Sequence, residues 1–342
     1  MAGGGGGGPL RGRRFGGSGG PVPRTPGRLP SGGRPRNWRK RVTALEENVL
    51  AGALVNGLLL GGLYALVGVG MSLVFGVMRI INLAHGEMLM LGMYLAFWAF
   101  TLAQVHPYAA VVLAFPVLFA VGWALYRALV GPLLATRAPE EHQLLLTLGV
   151  GLGLTELVRL LFTAQYRTIY TSLSTATLAV GPVSLSVALL SAFLIAAAIA
   201  AALYLVLTRT EVGRALRATA QDREAAAMMG VDLDRTLDLC FVLGSALAGV
   251  AGALYGAYYN QVIFTMGLTG GLIGFSAATI GGLGHILGAV VGGYLFALLQ
   301  TLASALLPGG SEYRDVFAFL VVILFLMFRP TGILGERQAE RV

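Results

Sequence analysis

Four polar residues lie close together near the start of the chain, where the flanking sequence is apolar. They are Arg79, Asn82, His85 and Glu87. Ionisable side chains at membrane depth are costly unless they pair with each other or line a wet cavity. Since helices interrupted at membrane depth form the binding regions of many transporters, Asn82, His85, Gly86 and Glu87 are candidates for lining a translocation pathway. The alternative is a short cytoplasmic turn in which Arg79 and Glu87 are solvated.

A second concentration of polar residues lies at 209–238, where five basic and six acidic residues occur in 30 positions. Within it, residues 222–229 favour a helix, because Asp222 is near the start and Gly230 is placed to end it. A short amphipathic helix between spans can dock into a groove of a partner. A solvated connector helix is the alternative.

Glycines spaced by four recur in the apolar segments and predict close helix packing in lipid. The pairs and triplet are Gly57 and Gly61, Gly149 and Gly153, Gly252 and Gly256, and Gly284, Gly288 and Gly292. At Gly281, Gly282 and Gly284 the alternative is a helix break whose backbone lines a pathway.

Two further expectations concern polar side chains inside the apolar segments. His285 is expected to be packed and hydrogen-bonded. Glu156 and Arg159 are expected to pair on one helix face.

The residues do not assemble into recognisable catalytic chemistry. The four histidines are scattered without metal-ligand spacing, and the single lysine, Lys40, is not part of a Walker-type phosphate loop. Cys240 is the only cysteine, so an intrachain disulfide is excluded, and it is expected to be a small apolar residue at the start of a helix. Only His85 with Glu87 comes near the residue set that an intramembrane enzyme would need.

The composition shows which elements must position these residues. The 342 residues are 56% hydrophobic and 12% charged, and positions 239–311 contain no Asp, Glu, Lys or Arg. A soluble protein of this length needs more charge, and the apolar runs are too long and continuous for a membrane barrel. The predicted fold class is therefore all-α, a polytopic helical membrane protein with about 8–10 transmembrane segments, some of them short or broken.

The net charge of +8 is confined to one end of the chain. Residues 1–47 carry ten basic and two acidic residues, whereas residues 48–342 carry 14 of each. A nucleic-acid binder is therefore not favoured. Residues 1–47, rich in Gly, Arg and Pro, are predicted to be a disordered cytoplasmic tail, since flanking Arg and Lys hold a segment inside.

Orientation depends on the number of crossings. If the N-terminus is inside, the charged segment 209–238 is cytoplasmic only when residues 48–104 make three crossings, of about 19 residues and 28 Å each. The uncharged stretch 273–307 is expected to be a hairpin broken around Gly281 to Gly288, and residues 165–182 form the main external loop. Both termini, including a short tail at 336–342, are then expected in the cytoplasm.

Four motifs in order resemble one family. Asn82-Leu-Ala-His-Gly-Glu87, Glu224-Ala-Ala-Ala-Met-Met-Gly230, Gly281-Gly-Leu-Gly284, and Tyr313-Arg-Asp315 with Arg329-Pro-Thr-Gly332 are similar to signatures of branched-chain amino acid ABC transporter permeases. The resemblance covers residues 48–335 and is closer to the LivH-type subunit than to its larger partner. The basic tail and the absence of a lysine near residues 272–274 depart from the family pattern.

The resemblance implies a multi-pass permease subunit of the bacterial inner membrane that is not itself an enzyme and holds no cofactor. Its partners would be a second, LivM-like permease subunit, two cytoplasmic subunits that bind ATP and Mg²⁺, an extracytoplasmic solute-binding protein and membrane lipid, with no nucleic acid. ATP-driven movement would act on the helix at 222–230. The residues expected to couple to the ATPase are Arg217, Asp222, Glu224, Ala225, Ala226, Gly230 and Asp232.

Other functions remain open from the residues alone. Permeases of the same architecture carry urea or short amides, and the sequence does not discriminate these from branched-chain or other hydrophobic amino acids. A secondary transporter or channel that acts alone would favour a membrane carboxylate or histidine relay without a docking helix.

Overall fold

The computed structural model describes residues 38–136, 139–181, 183–307 and 309–335, and most of them are helical. The helices are α1 Trp38–Met78, α2 His85–Ala103, α3 Ala110–Leu125, a π-helical turn Tyr126–Val130, α4 Gly131–Ala135, α5 Glu140–Phe162, α6 Ser172–Thr175, α7 Val187–Arg209, α8 Glu211–Gln221, α9 Arg223–Met228, α10 Leu233–Tyr259, α11 Met266–Gly281, α12 Ile286–Leu306 and α13 Gly310–Phe328. Two short antiparallel pairs complete the structure: β1 Arg167–Thr168 with β4 Gln261–Val262, and β2 Thr177–Val180 with β3 Val183–Ser186.

Contacts divide the chain into a unit of residues 1–44 and a unit of residues 45–342, close to the predicted boundary between tail and membrane body. The helix α1 begins at Trp38, within the segment predicted to be a disordered tail. Residues 1–37 and 336–342, which make up most of the two predicted tails, lie outside the described residues.

Seven helices in the described residues are long and apolar enough to cross a membrane. The helix α11 is also apolar but shorter, with 16 residues. These findings confirm the predicted class, a polytopic helical membrane protein. The predicted hairpin at 273–307 is also confirmed, because α11 ends at Gly281 and α12 begins at Ile286.

The prediction of three crossings in residues 48–104 is wrong. The segment Asn48–Met78 is one helix of 31 residues, and only α2 follows it within this stretch. Its glycines do not break the helix, because neighbouring helices fill the space beside them. A Cβ atom at Gly57 would overlap Thr301 of α12, and one at Gly61 would overlap Tyr294 of the same helix. Close packing against α12 therefore keeps α1 continuous.

The end of α1 lies on the side of the molecule that carries residues 209–238, called here the charged side. The guanidinium of Arg223 donates to the carbonyl oxygen of Val77, at 2.9 Å, which joins α9 to the last turn of α1. Because α1 is continuous, Asn48 lies at the opposite side.

The described C-terminal residues also lie on the charged side. Ile333 donates its backbone N–H to the carbonyl of Ile280 at 2.8 Å, and Gly284 lies against Gly76 near the end of α1. Asn48 of α1 and the described C-terminal residues therefore lie on opposite sides of the molecule. Two crossings in place of three remove the basis for expecting both termini in the cytoplasm.

The predicted external loop lies on the side opposite to the charged side. Ser174 donates to the side-chain oxygen of Asn260 at 2.6 Å, just beyond the end of α10. The loop is partly ordered by secondary structure, since it contains β1, α6 and β2, and β2 pairs with β3 directly after the loop.

Glycine packing is confirmed for most of the predicted pairs. The α2 and α10 backbones approach closely, because a Cβ at Gly92 would overlap the carbonyl of Gly249 and one at Gly252 would overlap the carbonyl of Leu89. Gly149 and Gly153 of α5 are different, since a Cβ at either position meets no described atom within 4 Å. The prediction of close packing is wrong for that pair within the described part of the chain.

Candidate functional site

The break between α1 and α2 is built by local hydrogen bonds. Arg79 has a left-handed backbone with φ of 56°, and its N–H still donates to the carbonyl of Phe75 at 2.8 Å, which ends α1. Asn82 then starts the next helix, because its side-chain oxygen accepts the N–H of Ala84 at 3.1 Å and its carbonyl accepts that of His85 at 3.2 Å. Residues 79–84 therefore form a non-helical entry to α2.

The polar side chains of this junction are buried in the protein. Asn82 is 2% exposed, His85 is fully buried and Glu87 is 7% exposed. The ring nitrogen Nε2 of His85 lies 3.2 Å from the carbonyl oxygen of Val67, three turns before the end of α1. The alternative that leaves Glu87 in solvent is therefore wrong, whereas Arg79 is exposed, as that alternative expected. The chain is non-helical at 79–84, between α1 and α2.

Glu87 lies against the start of α11. A Cβ atom at Gly267 would overlap the carboxylate of Glu87, and one at Gly86 would overlap the carbonyl of Gly267. The Oε2 atom of Glu87 is buried and has no hydrogen-bond partner among the described residues. This contact between α2 and α11 depends on glycine on both helices.

The helix α5 closes the other side of the junction. Thr147 Oγ1 accepts the N–H of Leu83 at 3.3 Å and donates to the carbonyl of Ile81 at 3.4 Å. A Cβ at Gly151, one turn further, would lie 3.7 Å from the Cγ of Glu87. Gly151, Thr147 and Gly267 therefore belong to the site, although no sequence motif pointed to them.

Gly281, Gly282 and Gly284 form a tight turn at the charged side. Gly282 and Gly284 have φ values of 107° and 85°, which favour glycine. A Cβ at Gly281 would overlap the backbone of Gly288, and the turn packs against Gly335 through Gly282. His285 accepts the N–H of Gly288 on Nδ1 at 3.0 Å, so the expected packed, hydrogen-bonded histidine is confirmed.

The predicted pathway residues separate into two groups at the two ends of α11. Glu87 and Gly86 contact Gly267 in its first turn, whereas Gly281 is its last residue. Fourteen residues of helix separate these contacts, a rise of about 21 Å. The structure therefore places Asn82, His85, Gly86 and Glu87 together, and places Gly281, Gly282 and Gly284 in a separate turn.

The charged segment folds into two short helices with side-chain caps. Thr210 accepts the N–H of Gly213 at 3.1 Å at the start of α8, and Asp222 accepts that of Ala225 at 3.0 Å at the start of α9. Gly230 follows α9 with φ of 89°. The predicted helix, its acidic start and its glycine stop are therefore confirmed, with α9 ending at Met228.

Most residues predicted to couple to a partner are exposed on this surface. Arg217, Asp222, Glu224, Ala225, Gly230 and Asp232 are exposed, whereas Ala226 is only 4% exposed and anchors the helix. Two large apolar side chains beside them are also exposed: Met228 is 81% exposed and Met229 is 86% exposed. Flexible methionines at an exposed helix end are suited to a protein contact.

Two arginines join this surface to the junction of α1 and α2. Arg223 Nη2 donates to the carbonyl of Val77 at 2.9 Å, and Arg79 Nη2 donates to that of Ala220 at 3.4 Å. Burial, and then the nearby positive charge of Arg79, lower the pKa of Arg223. Arg223 was absent from the predicted coupling residues, because the sequence holds no signal that its side chain reaches a helix more than 140 positions away.

The predicted ion pair on α5 is confirmed, and Cys240 lies early in α10, which begins at Leu233. Glu156 and Arg159 form an ion pair at 2.6 Å between Oε2 and Nη2. Cys240 is fully buried and donates its Sγ–H to the carbonyl of Leu73 at 3.4 Å. Both interactions are structural, so neither adds to the candidate site.

Comparison with known proteins agrees with the four motifs. The family described as branched-chain amino acid transport system / permease component matches residues 53–326. The chain is 34% identical over 302 residues to the high-affinity branched-chain amino acid transport system permease protein BraD of Pseudomonas aeruginosa, covering 84% of this chain and 97% of the relative.

Further curated relatives are permease proteins of the same kind. The chain is 33% identical over 308 residues to the LivH permease protein of Escherichia coli K12, covering 84% of this chain and 96% of LivH. It is 29% identical over 303 residues to a probable LivH permease protein of Methanocaldococcus jannaschii, covering 85% and 93%. No solved structure matches.

Proposed function

Because this chain belongs to the family of branched-chain amino acid transport system permease components, we propose that it is a translocation subunit of an ABC importer that carries branched-chain or other hydrophobic amino acids inward. The family match spans most of the membrane body, and the relatives are covered over nearly their whole length. The chain is a multi-pass membrane protein, and the bacterial inner membrane is its proposed location.

The observation that carries the proposal is the exposed helix α9 and its connection to the core. Met228 and Met229 offer an uncovered apolar contact, and Arg223, on the same helix, is hydrogen-bonded to the last turn of α1. A movement imposed on α9 therefore reaches the junction that starts α2. A solvated connector would explain the charges of the segment but not this pair of features.

The proposed partners follow from these surfaces. Two cytoplasmic subunits that bind ATP and Mg²⁺ would dock on α9 and hydrolyse the nucleotide, a second LivM-like permease would complete the pathway, and a solute-binding protein would deliver the amino acid to the loop at 163–186. Lipid surrounds the remaining apolar faces. The charged side is then cytoplasmic, and Asn48 lies at the outer side.

The proposed pathway passes the buried junction. Asn82, His85 and Glu87 are the polar groups that α1, α2, α5 and α11 bury together, and alternating access would require their helices to shift. The contact of Gly86 with the backbone of Gly267 and Gly271 suits such a movement, because no side chain separates α2 from α11 at that point. The turn at Gly281 to Gly284 would act at the cytoplasmic end.

Uptake tests the proposal directly. The complete transporter, expressed in a strain that lacks it, is expected to import labelled leucine, isoleucine and valine and not urea. Import that requires ATP and the binding protein supports the proposal. Import of urea with no amino acid would instead support the amide-carrying alternative, and import by this chain alone would support an independent transporter.

A further inference from the structure

A polar cavity of about 310 Å³ lies at the side opposite to the charged side. It is lined by residues 49–60 of α1 and by residues of α10, α12 and α13. Arg314 is the only charged residue in its lining among the residues that the structure describes. We propose that this cavity is a loading site that holds a small apolar amino acid by its carboxylate before it reaches the buried junction. The proposal deepens the proposed function and rests on it.

Arg314 is available to bind an anion. Its Nε lies 3.4 Å from Oδ1 of Asp315, and its guanidinium stands 5.9 Å from the centre of the Tyr259 ring. Its two terminal amino groups have no hydrogen-bond partner among the described residues, and its side chain is 37% exposed. A guanidinium held from one edge by a carboxylate presents its other donors to a ligand carboxylate in a fixed direction.

A buried hydrogen-bond chain holds this arrangement in place. Tyr64 donates to Oε1 of Gln300 at 2.8 Å, and Gln300 donates from Nε2 to Oδ1 of Asp315 at 2.8 Å. Tyr64 and Gln300 are each 1% exposed. Because the floor of the cavity is fixed before a ligand arrives, little ordering has to accompany binding.

The rest of the lining combines free polar groups with apolar walls. The side chains of Asn56 and Ser304 line the cavity and make no hydrogen bond within the described residues. The apolar lining comes from Val49, Ala53, Leu60 and Ala305. Such a cavity, at the small end of ligand sites, suits a solute with one charged end and a short aliphatic side chain.

The charges favour a zwitterion over a lipid phosphate. Asp315, beside Arg314, would repel a second negative charge and would attract an ammonium group. An α-amino acid carries both charges, whereas phosphatidylglycerol carries only the negative one. Binding of a lipid headgroup is therefore the competing outcome that the experiment must separate.

Equilibrium binding of labelled leucine is measured on the purified transporter complex in nanodiscs, without the solute-binding protein. The variants are Arg314→Gln, which removes the charge, and Gly52→Phe, which fills the cavity. Gly153→Phe is the control, because both glycines face open space and only Gly52 lines the cavity. Arg314→Gln is expected to weaken leucine binding about 10- to 100-fold, the range for a charge-assisted contact. Gly52→Phe is expected to weaken it similarly, and Gly153→Phe to leave it unchanged.

Competition identifies the group that is bound. Leucinamide, which lacks the carboxylate, is expected to compete at least tenfold more weakly than leucine. Equal competition by leucinamide, unchanged binding in Arg314→Gln, or no saturable leucine binding at millimolar concentration would each overturn the loading site. Loss of bound phosphatidylglycerol in Arg314→Gln with unchanged leucine affinity would assign the cavity to lipid and overturn it as well.

Uptake separates this proposal from the proposed function. A complex with normal leucine uptake in both Arg314→Gln and Gly52→Phe would leave the importer assignment intact and reject the loading site. Absence of leucine uptake in the wild-type complex would reject the importer assignment itself.

Discussion

Glu87 is a carboxylate that glycine contacts keep inside a helical membrane body. Its side chain is 7% exposed, Oε2 has no described partner, and Gly267 lies directly against it. The Glu87 carboxylate fits here because Gly267 of α11 has no side chain. The fit between these two residues can therefore be tested by stability measurements that do not depend on transport activity.

Gly267→Ala is expected to lower the thermal stability of the purified protein by about 1 kcal/mol, because the added methyl group displaces the Glu87 carboxylate from its buried position. In a Glu87→Ala background the same change should cost less, since the overlapping atoms are gone. Thermal unfolding in detergent of the two single variants and the double variant measures this difference.

Gly149→Ala serves as the matched control, because a Cβ there meets no described atom. Its stability is expected to stay within about 0.5 kcal/mol of the wild type. Equal effects of Gly267→Ala in both backgrounds would show that Glu87 and Gly267 do not meet as described.

Between helices, the connection of α8 and α9 to the end of α1 rests on two arginine hydrogen bonds. The contact of Arg223 with Val77 and that of Arg79 with Ala220 cross the same gap in opposite directions. They are main-chain contacts to carbonyl oxygens, so they depend on the reach and donors of arginine and not on the identity of the accepting residues.

Arg223→Ala is expected to reduce amino acid uptake at least about tenfold while ATP hydrolysis by the complex continues, since a charge-assisted hydrogen bond of about 1.5–3 kcal/mol is lost. Arg223→Lys, which retains a cationic donor, should keep more uptake. Arg214→Ala is the control, because Arg214 is 61% exposed and, among the described residues, its side chain pairs with Glu211 alone. Full uptake by Arg223→Ala would exclude this connection from the mechanism.

The α9 helix itself can be broken at one residue. Ala226→Pro removes the hydrogen bond from Ala226 N–H to the carbonyl of Asp222 and disturbs a buried side chain. The variant is expected to insert normally, to lose co-purification with the ATP-binding subunits and to abolish uptake.

Glu211→Pro provides the comparison for that variant. Glu211 is the first residue of α8, where proline is tolerated, and its side chain is 93% exposed. It should retain uptake and subunit association. Retention of both by Ala226→Pro would argue that partners do not dock on α9.

For the molecule as a whole, the path of α1 decides orientation. One continuous helix from Asn48 to Met78 places its two ends on opposite sides of the membrane, with its end beside α9. In the proposed orientation, with the charged side in the cytoplasm, Asn48 lies outside, which is the reverse of what the basic residues of 1–47 predict.

Cysteine labelling is expected to show this arrangement. Tyr170→Cys and Val49→Cys, at positions 73% and 54% exposed, should react with an impermeant maleimide in intact cells, whereas Ala227→Cys should react only after permeabilisation. Cys240 should stay silent because it is fully buried. Labelling of Val49→Cys together with Ala227→Cys would reverse the order of crossings proposed for α1.

Several features of this protein follow from its sequence alone. Hydropathy determined the helical membrane class, Asp222 and Gly230 determined the start and stop of α9, and the glycine turn before Ile286 determined the hairpin of α11 and α12. Each depends on composition over one span or on hydrogen bonds between residues a few positions apart, so the information is local.

Only the tertiary structure decided that residues 48–78 form one helix, that Glu87 meets Gly267, that Arg223 reaches Val77, and that Arg314 faces a cavity. Helices in a membrane are apolar on faces that meet lipid and on faces that meet protein, so hydropathy does not tell the two apart. Which helices become neighbours depends on the packing of small residues across the whole membrane body, and this packing is not encoded in any single segment.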